Sequence, residues 1–121
     1  MGMLDDITIL DFSHVYFGPY TTLILADMGA NVLKIEPPWG EIARLYPPLF
    51  GGISSVFLYF NRNKKGMTLN LKDPKAKEIA LELAERCDVV VENFKRGTMN
   101  KLGLGYEEIK KVKPDIIYAS L

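Results

Sequence analysis

The sequence has 121 residues, 48% hydrophobic and 25% charged, enough for one compact domain with its own core. Fifteen basic and fifteen acidic residues cancel, so net charge gives no support to a nucleic-acid partner. No apolar run approaches the roughly 18 residues that span a bilayer, and Met1 to Asp6 carries no secretory leader pattern.

Ile7 to Phe12 is a short apolar run rich in β-formers and reads as a buried strand. Ser13 to Pro19 turns, Tyr20 to Met28 has apolar residues at helical spacing, and Gly29 stops it. Val32 to Ile35 is a second strand, ended by Glu36 and Pro37-Pro38. Pro37 to Gly52 holds four prolines, three glycines and the large apolar residues Trp39, Leu45, Tyr46, Leu49 and Phe50. It reads as a long irregular loop with apolar anchors, of the kind that serves function or an interface. Ser54 to Phe60 is a short helix capped by Ser54, and Met67 to Leu71 alternates as a strand. Asp73-Pro74 opens the clearest helix, with Ile79, Ala80 and Leu83 on one apolar face through Arg86. Asp88 to Glu92 is another buried strand. Thr98 to Leu102 and Tyr106 to Val112 are helical, and Ile116 to Ala119 is a last strand.

This alternation predicts an α/β fold, an open, doubly wound (Rossmann-like), mostly parallel sheet with flanking helices. Ligands of such sheets bind outside the carboxyl ends of the strands. The segments in that position are Ser13 to Pro19, Glu36 to Gly40 and Asn93 to Gly97. The chain stops at Leu121 directly after a strand, which reads as part of a larger chain.

The usual catalytic and metal sets are missing. There is one histidine, His14, and no Cys-x-x-Cys, His-Glu-x-x-His or Gly-Lys-Ser/Thr, so no metal is expected. The single Cys87 reads as a small buried apolar residue in a reducing, cytoplasmic setting. The first strand-to-helix turn has one glycine where a dinucleotide fingerprint needs three, so Glu36 alone does not argue for a ribose contact. Gly18-Pro19 allows a tight backbone approach and offers helix N–H groups to an anion, or is a simple turn. His14 is either bonded to nearby backbone or a ligand contact. The cluster Asn61-Arg62-Asn63-Lys64-Lys65-Gly66 reads as a solvated basic turn, with phosphate binding as its alternative. Asn93-Phe94-Lys95-Arg96-Gly97 combines an amide, a ring and two cations, which suits a phosphorylated, ring-containing ligand. Lys75, Lys77, Glu78, Glu82, Glu85 and Arg86 read as the wet face of a helix, without a role.

An ordered set of segments then carries a resemblance. Asp11 to Pro19, Leu25 to Val32, Lys34-Ile35-Glu36, Asn61 to Lys65, Leu69 to Lys72, Val91 to Phe94 and Leu102 to Tyr106 resemble the start of class III CoA-transferases of the CaiB/BaiF type. The resemblance implies that residues 1–121 are an N-terminal CoA-binding domain of an acyl-CoA:carboxylate CoA-transferase. An α-methylacyl-CoA racemase-type portion is the alternative, as is a stand-alone CoA-binding or interaction module. It implies coenzyme A or an acyl-CoA as substrate, a homo-oligomer of interlocked dimers, and no nucleic acid, membrane or metal. Tyr16 and Phe17 match positions lining the CoA site, Leu69, Asn70, Leu71 and Lys72 border its nucleotide part, and Asn93, Phe94 and Lys95 form a further contact loop, with His14 added as a CoA contact from its place at a strand's carboxyl end. Lys101 stands where transferases often carry an arginine near the phosphates, and Pro37 replaces another. Tyr16 and Phe17 are bulkier than the usual pair. The family's nucleophilic aspartate is expected beyond Leu121, so no catalytic residue is assigned and the 121 residues alone are expected to be inactive. The apolar loop residues are expected to make them self-associate.

Overall fold

The computed structural model describes residues 2–121. Five strands form one parallel sheet: β1 (Thr8–Asp11), β2 (Asn31–Glu36), β5 (Lys65–Thr68), β6 (Val89–Glu92) and β7 (Ile117–Ser120). Their order across the sheet is β5-β2-β1-β6-β7, all pairs parallel. The chain runs outward from β1 in one direction and then from β6 in the other, so the direction of winding reverses between β1 and β6. That reversal makes the sheet doubly wound and opens a crevice at the carboxyl ends of β1 and β6.

Both faces of the sheet are covered, which is why its central strands are continuous apolar runs. On one face Leu10, Phe12, Ile35 and Val90 pack with Ala80, Ala84, Met99, Leu104 and Ile109. These come from α3 (Pro74–Glu85), α4 (Thr98–Lys101) and α5 (Tyr106–Val112), with Leu104 in the turn between α4 and α5. On the other face Ile9, Val32 and Val91 pack against Ala26 of α1 (Phe17–Asp27) and the following Ala30. The residues of α3 that sink into the sheet are Ala76, Ala80 and Ala84, whereas Ile79 and Leu83 lie half-buried at the flanks. Three alanines four apart let the helix axis approach the sheet closely, with the larger residues wedged at its sides.

Local signals placed the helix ends. The Asp73 side chain accepts from Lys75 N at 2.8 Å, with Pro74 as the first helical residue. The Ser54 hydroxyl accepts from Phe57 N at 3.2 Å at the start of α2 (Ser55–Asn61). Gly29 ends α1 with φ of 110°, a conformation a side chain would resist.

Three boundaries differ from expectation. Helix α1 begins at Phe17, so Gly18 and Pro19 lie in its first turn rather than before it. Strand β5 spans Lys65–Thr68, two residues earlier than the alternation predicts. Its pairing ends at Glu36↔Thr68, where β2 ends, and Leu69 and Leu71 then turn toward the core. The loop Pro37 to Gly52 contains a 3-10 turn (Ile42–Leu45) and strand β3 (Leu49–Phe50), which pairs antiparallel with β4 (Ile53–Ser54). Its Trp39, Leu45, Leu49 and Phe50 are exposed, so they do not act as anchors here. No helix among the described residues is long and apolar enough to cross a membrane.

Candidate functional site

A cavity of about 230 Å³ opens at the carboxyl ends of β1, β2, β5 and β6. Phe12, Ile35, Leu69, Leu71, Phe94 and Leu102 make its walls apolar, with His14, Glu36, Trp39, Asn70 and Lys72 at its edges. A wider cleft of about 760 Å³ adjoins it through Leu71, Lys72 and Leu102, and carries Lys77, Asn100 and Lys101. The sequence-predicted residues His14, Leu69, Asn70, Leu71, Lys72 and Phe94 therefore meet in one place, with Lys101 next door. Asn93 stands behind this wall rather than in it. Lys95 lies in a neighbouring hollow with Arg96, Tyr106 and Tyr118, which touches the cavity at Phe94. Tyr16 and Phe17 are not brought to the cavity. They share a separate exposed aromatic hollow with Tyr20, Tyr59 and Phe60.

The crevice is tied shut by one amide. Asn93 Oδ1 accepts from His14 N and Asn93 Nδ2 donates to His14 O, both at 2.8 Å. The turn after β1 is thereby bound to the turn after β6, across 79 residues of sequence. The His14 ring meets the Phe94 ring edge-on at 5.0 Å between centroids. Of the two readings open for His14, backbone bonding holds for its main chain, while its ring borders the cavity.

A chain of buried charges runs beneath this turn. Asp11, fully buried, accepts from Ser13 N at 2.8 Å, from Ser13 Oγ and Thr22 Oγ1 at 2.5 Å, and from Lys64 Nζ at 3.2 Å. Lys34 Nζ donates to Ser13 O at 2.7 Å and lies 2.7 Å from Glu41 Oε2. That oxygen accepts no well-aligned hydrogen bond, and the Lys34 ammonium is the cation in direct contact with it. Glu41 Oε1 accepts from Val15 N at 3.3 Å, and Glu41 N donates to Glu36 Oε2 at 3.1 Å. Arg44 grips both Glu36 oxygens, at 2.7 and 2.8 Å, and lies 3.8 Å over the Phe57 ring. Both Glu36 oxygens are thus held by protein contacts. Val15 sits at φ of 71°, a strained conformation for a β-branched residue, held by these bonds beside the cavity.

The basic cluster after α2 is exposed at Arg62, Asn63, Lys65 and Gly66, as a solvated turn requires, but not at Lys64. Arg62 pairs with Asp27 at 2.6 Å, Asn63 Nδ2 donates to Ala26 O at 2.8 Å, and Lys64 turns inward to Asp11, Thr22, Pro19 O and Asn61. Burial holds Lys64 well below the ordinary lysine range, at about 8, with the Asp11 carboxylate opposing the shift. Sequence reasoning missed this network, Trp39 and Lys77. Trp39, Ser13 and Lys64 lay in segments singled out above for a ligand, whereas Lys34, Glu41 and Lys77 did not.

Burial also holds the His14 imidazole below its usual 6.5, with the Glu41 carboxylate opposing that effect. His14 therefore stays neutral where the unfolded chain already takes up a proton. Its stabilising contribution is present above pH 6.5 and is lost as pH falls through the lower folded value. As the sole histidine its ring protons are directly assignable by NMR. We expect a titration midpoint below 6.5 in the folded protein, and a midpoint above it would disprove this environment.

Fold and site together define a class: an open parallel α/β domain with an apolar cavity and an adjoining cationic cleft at the switch point of its sheet. The profile of CoA-transferase family III matches residues 4–121, and the chain belongs to that family. It is 46% identical to a succinyl-CoA:mesaconate CoA-transferase of Haloarcula marismortui, over 100% of this chain and 32% of that protein. It is 45% identical to an acetyl-CoA:oxalate CoA-transferase of Acetobacter aceti, over 98% of this chain and 31% of that one. The crystal structure of a CAIB/BAIF family protein from Brucella suis superposes with a TM-score of 0.93 at 33% identity, over 98% of this chain and 33% of that one. The chain thus spans about a third of the length of these relatives.

Proposed function

We propose that residues 1–121 form the CoA-binding domain of an acyl-CoA:carboxylate CoA-transferase. One observation carries the reading: the apolar cavity runs into the lysine cleft through shared walls, Leu71, Lys72 and Leu102. An extended ligand with a weakly polar arm and a phosphorylated nucleotide end needs that succession. The pantetheine arm then lies along Leu69, Leu71 and Phe94, and the phosphates face Lys72 and Lys101. The named relatives are CoA-transferases, which favours transfer over racemisation.

The domain binds and orients. Among the described residues the only carboxylate lining the cavity is Glu36, already held by Arg44, so this wall offers no free carboxylate. The carboxylate that takes the acyl group comes from another segment of the protein. The exposed aromatic face of Tyr16, Phe17, Tyr20 and Tyr59 supports a homo-oligomer in which that face is covered. The free, buried Cys87 supports a reducing, cytoplasmic setting.

Calorimetric titration tests the reading. The protein is expected to bind CoA in the micromolar range, and pantetheine about 10- to 100-fold more weakly, because charge-assisted phosphate bonds are lost. Equal affinity for the two, or a folded protein that ignores CoA, would overturn it. The latter outcome would leave an interaction module.

A further inference from the structure

Lys77 reads in sequence as one member of the wet face of α3, and the structure separates it from that set. Lys75 pairs with Glu78 at 3.0 Å on the exposed side. Lys77 is half-buried and lies across the turn that follows α4. Its side chain occupies the space that Gly103 leaves open. A Cβ at Gly103 would stand 2.3 Å from Lys77 Nζ and 2.5 Å from Lys77 Cε. Gly103 also holds φ of 71°, so both its conformation and its emptiness call for glycine.

The ammonium so admitted enters the cleft that already holds Lys72 and Lys101. No ion pair among the described residues uses any of the three. Of the two carboxylates lining the cleft, Asp73 caps α3 by accepting the Lys75 N–H at 2.8 Å, and Glu108 Oε1 binds Lys111 at 2.7 Å while also feeling the Lys77 charge. Three cations without a direct ion pair share this concavity with two carboxylates, one of them held by Lys111, and an entering anion relieves their mutual repulsion. A terminal phosphate monoester suits them best. Near neutral pH it carries close to two charges on three oxygens, its second pKa being about 6. A phosphate inside a diphosphate bridge carries one. Flexible ammonium groups suit such a rotatable group better than the rigid fork of arginine.

We propose that Lys77, admitted by Gly103, is a ligand-binding residue that selects for a terminal phosphate monoester, acting with Lys72 and Lys101. The proposal rests on the CoA reading above, in which the monoester is the ribose 3′-phosphate. It adds a binding residue on a helix face that otherwise serves only solvation, and a reason for glycine at position 103.

The test compares CoA with dephospho-CoA, which lacks the monoester, by calorimetry on the wild-type protein and on Lys77→Gln, Lys77→Arg and Gly103→Ala. Wild type should prefer CoA by about tenfold, the scale of one charge-assisted contact. Lys77→Gln should weaken CoA about five- to tenfold and leave dephospho-CoA unchanged, and Lys77→Arg should restore most of the loss. Gly103→Ala, by displacing Lys77, should give the same CoA to dephospho-CoA ratio as Lys77→Gln. Unchanged CoA binding in Lys77→Gln, or equal losses for both ligands, overturns the role of Lys77 while the CoA reading stands. A wild-type protein that binds neither ligand overturns the CoA reading itself.

Discussion

Lys34→Met is expected to remove about 3–5 kcal/mol of folding stability, the scale for stranding one member of a buried ion pair. Lys34 is 2% exposed and stands 2.7 Å from Glu41 Oε2, an oxygen with no well-aligned hydrogen bond. Its second bond, to Ser13 O at 2.7 Å, holds the turn that leads to His14. Methionine keeps much of the volume and none of the charge. The Glu41 carboxylate must then stay buried and unpaired, or take up a proton. Urea unfolding followed by circular dichroism measures the loss, and a variant within about 1 kcal/mol of wild type would contradict the assignment. The double variant Lys34→Met/Glu41→Leu separates pair from cavity. An apolar replacement of both partners should recover most of the stability. It should still bind CoA more weakly, because Val15 N loses Glu41 Oε1 and the strained turn loses its support.

Gly18→Ala is expected to cost about 1–3 kcal/mol and, with it, about tenfold or more in CoA affinity. The helix α1 crosses the exit of β1 so closely that a Cβ at position 18 would stand 2.2 Å from Ser13 Cβ, 2.5 Å from Ser13 Oγ and 3.3 Å from Asn93 Cγ. None of these can yield freely. Ser13 is bound to Asp11 by both its N–H and its hydroxyl, and Asn93 holds His14 by two bonds. One methyl group therefore strains the fold and shifts the cavity wall together. Gly66→Ala serves as the control, since a Cβ there meets nothing within 4 Å. If Gly18→Ala matches that control in stability and in CoA affinity, the close approach has no energetic weight.

These two sites show what a sequence reading reaches. The tight approach at Gly18-Pro19 is legible as a strand-to-helix turn with a glycine, but its partner, Ser13, is visible only when the helix is placed. The cavity was half legible. His14, Glu36 to Trp39 and Phe94 follow from one rule, that ligand segments sit where parallel strands end, whereas Leu69 to Lys72 come only from the family resemblance. Tyr16 and Phe17 follow the same rule and miss the cavity. They lie past the strained Val15, where α1 has already begun and carries them to another face. The register of β5 was misread because Met67, Leu69 and Leu71 alternate as strand residues do. The pairing with β2 stops at Thr68 instead, and the later leucines serve the core.

By itself the sequence determined the alternation of strands and helices, the buried sheet and most helix ends. These depend on local quantities: apolar periodicity, a cap at Asp73 or Ser54, a glycine at position 29. Only the tertiary structure decided what each charge does. Lys64, in a turn that reads as solvated, is buried against Asp11 from 53 residues away. Lys75 and Lys77 lie two apart on one helix, yet one pairs at the surface and the other lines the cleft with Lys72 and Lys101. Coulomb energy and desolvation depend on distance and burial between remote segments, and a linear sequence carries neither until the sheet brings them together.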